Sequence, residues 1–364
     1  MKTIMKRQDF RVLFVSKTGR VNAPYLDPSV RYRCFNPAEI LLGIGVQSDV
    51  VAQNFLNVAF IDNYDAFVFH RPDPQDEKLP LFIELAKAKG KKVVADYDDL
   101  IFNPSYALNS SIFRNGLATE EQIIDIFNRN YKGLCYFDHY TVSTEPLAEQ
   151  IKLLRPNASV KIIPNGLSRK LLSCFSYADR MLERRLSNKK KIISYLSGTA
   201  THMPDFASIA DVIKEILEKH SDVRFTIAGP MQLPDSIKRH PGIVRQPYRQ
   251  FMEFFSATGI FYANIAPLAE DNAFNNCKSG LKFFESGIWN VPTIATPIAD
   301  FRRFSDSNGL ILPQSQEEWM NAFEEIIDLE RYRIRIKGLR EYCLKNCMAD
   351  AHANKLLTFL QKGE

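Results

Sequence analysis

The chain has 364 residues, of which 45% are hydrophobic and 24% charged, a composition typical of a globular protein with two domains. Its formal net charge of +5 is mild, whereas nucleic-acid binders usually concentrate far more positive charge, so we expect no nucleic-acid partner. Six scattered cysteines without a CxxC pair indicate reduced thiols. The amino terminus carries only a short apolar run, and we expect a cytoplasmic protein without a spanning helix.

Short apolar strands alternate with amphipathic helices along both halves of the chain. Predicted strands of the first half lie at 11–15, 66–69, 92–95, 139–142 and 160–163, and those of the second half at 192–196, 223–228, 260–265 and 293–295. This alternation is typical of parallel sheets that are covered by helices on both faces. We therefore predict an α/β protein with two doubly wound units.

The predicted organisation has four parts. Residues 1–168 form an amino-terminal domain, 169–191 a basic linker, 192–340 a second domain, and 341–364 a helix that packs back on the first domain. Ligands of such sheets bind at the carboxyl ends of the strands, so the cleft between the domains is the expected site. No G-x-G-x-x-G follows Val15 or Leu196, and no P-loop is present, so neither a dinucleotide redox enzyme nor a P-loop kinase is supported.

The segment 275–285 carries the most informative polar pattern. A helix predicted over 276–286 would place Lys278, Lys282 and Glu285 in one polar stripe. Ser279 lies in its first turn beside Lys278, where exposed amides and the positive end of the helix dipole favour anions. Glu285 could accept two hydrogen bonds from the hydroxyls of a ribose. A solvated face of i,i+4 salt bridges explains the same spacing equally well.

Polar residues also follow the predicted strands of the first half. Asp98 comes just after the strand at 92–95, and Arg71 follows the strand at 66–69. The D-x-D-D string around Asp98 is compatible with a metal, but also with a cap of the next helix or turn. Arg31 and Arg33 flank Tyr32 at the expected lip of the cleft and could bind a phosphate or sugar hydroxyls, or form a surface arginine pair stacked on the tyrosine.

Several motifs in chain order carry a resemblance to a known family. They are the YTVSTEPL run from Tyr140, VKIIPNG from Val160, SGT from Ser197, FTIAG from Phe225, KSxLK from Lys278 to Lys282 with Glu285, and GIWNVPTIA from Gly287. With these motifs, the whole chain resembles the family-4 class of retaining glycosyltransferases, which have the GT-B fold. It is similar to enzymes that build bacterial surface polysaccharides such as O-antigen lipopolysaccharide and capsule.

The resemblance implies a GT-B architecture, in which two Rossmann-like domains face a central cleft and the C-terminal helix returns to the first domain. The domain of residues 1–168 would lie on the acceptor side, and that of residues 192–340 would bind the nucleotide sugar. It also implies roles for individual residues. Glu285 matches the second Glu of the Glu-x7-Glu motif and would hold the ribose, whereas the first Glu falls on Cys277. Asp98 falls at the polar position that lines the reaction centre. The expected donor-binding residues are Gly198, Thr199, His202, Lys278, Ser279, Gly280, Lys282 and Glu285.

The implied reaction moves a sugar from a nucleoside-diphosphate sugar to a glycan or lipid-linked glycan, with retention and with no metal or further cofactor. Lys278 would supply leaving-group charge, and Arg31, Tyr32, Arg33 and Arg71 would face the acceptor. The basic linker, with three arginines between 180 and 185 and three lysines at 189–191, is compatible with peripheral binding to the anionic inner face of the plasma membrane. A non-catalytic sugar- or partner-binding relative and a nucleotide-sugar 2-epimerase are the alternatives.

Overall fold

The computed structural model describes residues 9–197, 202–247, 249–269 and 271–363, with the backbone alone at 173–176. Within these ranges the chain forms two six-stranded sheets whose paired strands are all parallel. The first sheet has the order β2-β1-β3-β4-β5-β6 and the second the order β12-β11-β10-β7-β8-β9. The two doubly wound units predicted from the alternation of strands and helices are therefore present.

The first domain is the unit built on β1–β6. Its strands are β1 Arg11–Ser16, β2 Gln47–Ala52, β3 Ala66–His70, β4 Lys92–Tyr97, β5 His139–Val142 and β6 Ser159–Ile162. Its helices are α1 Pro28–Val30, a π-helical turn Arg31–Phe35, α2 Asn36–Gly43, α3 Phe60–Asn63, α4 Lys78–Ala88, α5 Ser111–Arg114, α6 Glu120–Leu134 and α7 Glu145–Leu154, with 3-10 turns at Pro24–Leu26, Gln53–Phe55 and Pro104–Asn109.

A 3-10 segment, Arg169–Tyr177, and helix α8, Ala178–Ser187, connect the two sheets. The second domain is the unit built on β7 Lys191–Leu196, β8 Val223–Ala228, β9 Ile243–Gln246, β10 Ala263–Ala266, β11 Thr293–Ala295 and β12 Leu310–Ile311. Its helices are α9 Met203–Ala207, α10 Ala210–Lys219, α11 Phe251–Thr258, α12 Ala273–Asn276, α13 Leu281–Gly287, α14 Gln316–Ile327, α15 Leu329–Ile336 and α16 Leu339–Asn346; a 3-10 turn, Ala299–Phe304, follows β11. A further 3-10 turn, Ala349–His352, leads into α17, Ala353–Lys362.

Burial explains which strands the sequence revealed. β3 is buried along its whole length, as expected for a central strand covered on both faces. The edge strand β2, with the sequence QSDVVA, was not predicted because exposed polar residues interrupt its apolar pattern. The two-residue strand β12 at the opposite edge of the second sheet is too short to give a periodic signal.

The chain crosses back to the first domain after α16. Leu167 and Met348 form an isolated parallel bridge, in which the Leu167 amide donates to the Cys347 carbonyl at 2.7 Å. Beyond it, Leu356 and Phe359 of α17 are buried with apolar residues of β1. This packing confirms the expected return of the C-terminal helix to the first domain.

The connecting helix α8 is only partly a solvated basic face. Arg180 and Arg184 are exposed, but Arg185 is 4% exposed and donates to the carbonyls of Gly259, Trp289 and Asn290 at 2.6–3.0 Å. The predicted basic surface therefore loses Arg185, which ties the connecting helix to the second domain. In the described part of the chain, no helix has the length and apolar character that crossing a bilayer requires.

Candidate active site

The loops that follow the strands of the two sheets meet across a cleft. In the second sheet the strand order reverses between β7 and β10, and ligands of doubly wound sheets bind outside the carboxyl ends of the strands at such a point. A cavity of about 340 Å³ opens there, and residues at the ends of β7, β8 and β9 line it: Leu196, Ser197, Ala228 and Gln246. The cavity is therefore where the topology predicts a ligand.

The walls of this cavity are mainly apolar. Phe251, Phe254 and Phe261 form one side, and a few polar groups, Lys282 and Glu285 among them, converge on the interior. An apolar pocket with a few convergent polar groups is typical of a small-molecule site. Gly229, just beyond β8, allows the loops that follow β7 and β8 to lie close together. A Cβ at this position would be only 2.2 Å from the Ser197 carbonyl oxygen.

Glu285 is the central polar group of the cavity. It is only 8% exposed, and its Oε1 accepts a hydrogen bond from the Tyr32 hydroxyl at 2.7 Å. Burial raises the pKa of the Glu285 carboxyl, while the Tyr32 hydrogen bond and the Lys282 charge act in the opposite direction. The residue expected to hold a ribose is thus inside the cavity. Tyr32, for which an acceptor contact was predicted, reaches the same cavity and contacts Glu285.

Two further predicted donor-binding side chains line the same cavity. The Lys282 ammonium donates to the Leu196 carbonyl, and burial lowers the pKa of Lys282. His202 Nδ1 lies 2.9 Å from Asp205 Oδ2, and Asp205 Oδ1 accepts the Ala269 amide at 3.0 Å. Asp205 therefore orients His202. No motif marks Asp205 in the sequence.

The structure corrects the single helix predicted over 276–286. α12 ends at Asn276 and α13 begins at Leu281, so Lys278 does not share a helix with Lys282 and Glu285. The stripe of three charges predicted from helical spacing is therefore interrupted.

The side chain of Asp300 occupies the start of α13. Its Oδ2 accepts the Gly280 amide at 2.7 Å and the Ser279 hydroxyl at 3.2 Å, and its Oδ1 accepts Nε of Arg303 at 2.7 Å. A Cβ at Gly280 would lie 2.8 Å from the Phe301 ring, so glycine suits this close turn. A carboxylate of the chain itself thus takes the predicted anion position at this helix N-terminus.

Lys278 lies in the turn between the two helices. Its ammonium is 5.8 Å from the centre of the Phe274 ring, and it lines a smaller cavity of about 170 Å³ between the domains. Arg114 of the first domain and Asp205 of the second line the same cavity. Lys278 is thus separate from the cavity that holds Glu285 but remains in the cleft.

Cys277, at the position of the family's first Glu, packs at the domain interface. It is 1% exposed, and its carbonyl accepts the Thr144 hydroxyl of the first domain at 2.9 Å. Burial raises the pKa of the thiol to about 12, so Cys277 does not provide an ionised group.

The carboxyl end of the first sheet holds a buried ion-pair network. Arg33 is 2% exposed and donates to both carboxylate oxygens of Asp96, at 2.9 and 2.6 Å. Thr141 donates to Asp96 Oδ2 at 2.6 Å. The guanidinium lowers the pKa of Asp96 against the effect of burial. Arg33 is therefore inside the first domain, not at the lip of the cleft, because its guanidinium neutralises a buried carboxylate.

Asp98 and Arg71 form a second pair nearer the cleft. Arg71 Nε donates to Asp98 Oδ1 at 2.7 Å, and the two side chains are 29% and 12% exposed. The nearby guanidinium holds the pKa of Asp98 well below its usual range, so this carboxylate is ionised at neutral pH. Arg71 has a positive φ of 49°, an uncommon conformation for a non-glycine residue that often occurs at functional sites.

His70 links Asp96 to a hydroxyl. Its Nδ1 lies 3.0 Å from Asp96 Oδ1 and its Nε2 lies 2.6 Å from the Ser29 hydroxyl. Asp98 Oδ1 is 3.8 Å from the same Nε2. With the proton on Nδ1, this order of groups orients the imidazole and polarises the hydroxyl. No local motif marks this arrangement, since Ser29, His70 and Asp96 come from three separate segments of the chain.

Three predicted site residues remain, namely Arg31, Gly198 and Thr199. Arg31 lies at the interface, with its guanidinium 4.5 Å from the centre of the Phe251 ring and a hydrogen bond to the Tyr25 carbonyl. Gly198 and Thr199 lie outside the described residues. Across the ranges that the structure describes, no three His, Cys, Asp or Glu side chains group so as to hold a metal ion.

No protein-family model matches the chain, and no curated protein matches it in sequence. Several solved structures, however, are similar to it in three dimensions. A glycosyltransferase from Rickettsia africae has a TM-score of 0.64 at 12% identity, covering 98% of this chain and 100% of that one. HepE from Anabaena, solved with UDP-glucose, has a TM-score of 0.58 at 12% identity, covering 96% and 99%.

A candidate UDP-N-acetylglucosamine 2-epimerase from Listeria monocytogenes has a TM-score of 0.55 at 12% identity, covering 98% of this chain and 96% of that one. At such identities these similarities establish the fold alone. The chain therefore has the GT-B fold predicted from its sequence, in which two Rossmann-like domains face a cleft.

Proposed function

We propose that this chain is a glycosyltransferase that transfers a sugar from a nucleoside-diphosphate sugar to a hydroxyl of a glycan or lipid-linked glycan. The observation that carries the proposal is the buried carboxylate of Glu285 in an apolar cavity at the topological switch point of the second sheet. A flat apolar base suits the phenylalanine side of the cavity, and ribose hydroxyls suit the carboxylate. The similarity to HepE, which was solved with UDP-glucose, supports the same class of donor.

The positions of the cations suggest where the diphosphate lies. Lys282 and His202 line the cavity, and Lys278 lines the neighbouring smaller one. A diphosphate that extends from the base pocket into the cleft would meet all three side chains. In this arrangement the protein stabilises the leaving group by positioned positive charge and hydrogen bonds, with no metal.

We further propose that the anomeric configuration is retained, as the resemblance to family-4 enzymes implies. In that chemistry the acceptor hydroxyl attacks on the face from which the diphosphate leaves, and the departing phosphate takes the hydroxyl proton. Asp98 and Arg71 lie at the first-domain edge of the cleft, where the acceptor would be positioned. Acceptors of the surface-polysaccharide class, and peripheral binding at an anionic membrane surface, belong to this proposal as well.

A binding screen tests the donor site directly. Wild-type protein is titrated calorimetrically with UDP, ADP and GDP and with their glucose and N-acetylglucosamine conjugates, alongside Glu285→Ala and Lys278→Ala. We expect one nucleotide class to bind, and Glu285→Ala to weaken it roughly 10- to 100-fold, because hydrogen bonds to a charged group contribute about 1.5–3 kcal/mol. Lys278→Ala should weaken binding of the diphosphate forms more than binding of the corresponding nucleoside, which is titrated alongside them.

Glu215→Ala is the matched control, since Glu215 is an exposed helical glutamate on the same domain and lies outside the cavity. It should leave affinity unchanged. A nucleotide that binds wild type and Glu285→Ala equally well would contradict the donor site proposed here.

A nucleotide-sugar 2-epimerase is a second candidate, because a histidine and two carboxylates lie together at the carboxyl end of the first sheet. His70 lies between Asp96 and Asp98, and such groups are what acid-base chemistry on a sugar requires. The structural similarity to the Listeria protein points in the same direction. Sugar conversion without an acceptor would favour epimerisation, whereas acceptor-dependent release of nucleoside diphosphate would favour transfer. Binding without turnover would indicate a non-catalytic relative.

A further inference from the structure

Tyr32 belongs to the first domain by sequence and to the second domain by packing. It lies in the π-helical turn Arg31–Phe35 between α1 and α2, and such turns are frequent at functional sites. Its ring is 3% exposed and packs in the apolar cluster of the second domain, edge-on to Phe251 and Phe284 with ring centres 6.1 and 6.3 Å away. The first domain thus inserts an aromatic side chain into the wall of the cavity.

The Tyr32 hydroxyl reaches one oxygen of the central carboxylate. It donates to Glu285 Oε1 at 2.7 Å, whereas Oε2 has no hydrogen-bond partner in the part of the chain that the structure describes. Both residues line the cavity. The contact therefore fixes the carboxylate through Oε1 and leaves Oε2 for a hydroxyl of a bound ligand.

We propose that Tyr32 is a positioning residue for Glu285, so that the donor site of the second domain is complete only when the first domain is docked on it. This inference rests on the proposed function of Glu285 as the ribose-binding group. Tyr32 does not contact the reacting atoms. Its hydroxyl orients the buried carboxylate and, against the effect of burial, favours the ionised form, since a hydrogen bond to the charged form stabilises that form.

Other hydrogen bonds also join the two domains across the cleft. Thr144 donates to the Cys277 carbonyl at 2.9 Å, and Arg303 donates to the Asn165 carbonyl at 3.2 Å. If Tyr32 completes the donor site, donor binding and docking of the two domains are thermodynamically linked, because each favours the other. The acceptor side of the enzyme thereby takes part in binding the donor.

The test compares nucleotide affinity of wild type, Tyr32→Phe, Glu285→Gln and the double variant, by calorimetry with UDP, ADP and GDP between pH 5 and 8. Tyr32→Phe keeps the ring contacts and removes only the hydroxyl. We expect about a tenfold loss of affinity and a shift of the acid limb of binding to higher pH. In the Glu285→Gln background the same change should have little further effect, since Tyr32 acts through Glu285.

Tyr140→Phe is the matched control. Tyr140 is a buried tyrosine of the first domain whose hydroxyl lies 2.8 and 2.5 Å from the Leu134 and Phe137 carbonyl oxygens, outside the cavity. It should lower Tm without changing affinity or its pH dependence. Unchanged or tighter binding by Tyr32→Phe would overturn the inference; tighter binding would show that Tyr32 competes with the ligand. If Glu285→Gln does not weaken binding, the donor site itself is wrong, which is a separate failure.

Discussion

The two sheets of this protein end in different chemistry, although they share one architecture. At the carboxyl end of the first sheet, charged groups satisfy one another: Arg33 with Asp96, and Arg71 with Asp98. At the carboxyl end of the second sheet, a mainly apolar cavity surrounds a carboxylate whose direct hydrogen bond comes from the other domain. The polar groups at the end of the first sheet thus form a largely self-contained network. Those at the end of the second sheet line a cavity of the kind that binds small molecules.

The difference shows how the same strand-end position can serve stability or binding. Removing one partner of a buried ion pair leaves an uncompensated charge, which is strongly destabilising, so each charged group at the end of the first sheet needs its partner. The groups at the end of the second sheet line a cavity that an external ligand could enter. Substitutions at the end of the first sheet should therefore change chiefly the stability and the reaction rate, and those at the end of the second sheet the nucleotide affinity.

Removal of Arg33 tests the structural side of this contrast and should have the largest effect. Arg33→Ala leaves the buried Asp96 carboxylate without its cation, and we expect destabilisation of about 3–5 kcal/mol. Thermal unfolding should show it as a Tm roughly 10 °C lower. The control Arg333→Ala removes an arginine from an exposed ion pair with Glu330 and should change stability by about 1 kcal/mol or less. Equal effects of the two substitutions would contradict a buried network.

A substitution of Asp98 tests whether the carboxyl end of the first sheet also contributes to the reaction. Asp98→Asn keeps the size of the side chain and removes the charge that faces Arg71. We expect nucleoside-diphosphate release with acceptor to slow roughly 10- to 100-fold, from the loss of about 1.5–3 kcal/mol of charge-assisted interaction. Nucleotide affinity should stay within about twofold, measured by calorimetry. A loss of affinity at an unchanged rate would place Asp98 on the donor side instead.

The pH dependence of nucleotide binding should show the smallest effect, and it concerns the cavity at the carboxyl end of the second sheet. Because burial raises the pKa of Glu285, its carboxylate gains a proton at a higher pH than an exposed glutamate would. Affinity should be greatest above this pKa and fall by up to about tenfold per pH unit below it. Glu285→Gln should flatten this limb. His202 and Lys282 line the same cavity, so His202→Gln and Lys282→Met are companion variants. A limb that persists in Glu285→Gln would assign the titration to another group.

Much of the fold follows from local pattern. The runs RVLFV and AFVF are apolar enough to mark β1 and β3, and the helix end predicted at Ser286 lies one residue before the end of α13 at Gly287. β2 was missed because edge strands carry polar residues, and the break between α12 and α13 was missed because it depends on Asp300, which lies 20 positions beyond Gly280. Local periodicity carries no record of such a partner.

The amino-acid pattern was sufficient to predict the two doubly wound units, the position of the cleft and Glu285 as the main candidate within it. Hydrophobic periodicity and strand-end position are local properties, so they can be recognised without knowing which residues lie nearby in space. Which polar groups contact one another follows only from the folded chain. Tyr32 and Glu285 are 253 positions apart, and Arg33 and Asp96 are 63 apart. Spacing alone made Tyr32 and Arg33 equal candidates for an acceptor site. In the folded chain Tyr32 lies in the cavity of the second domain, and Arg33 forms a buried ion pair with Asp96. Each contact satisfies a polar group at a place from which water is excluded.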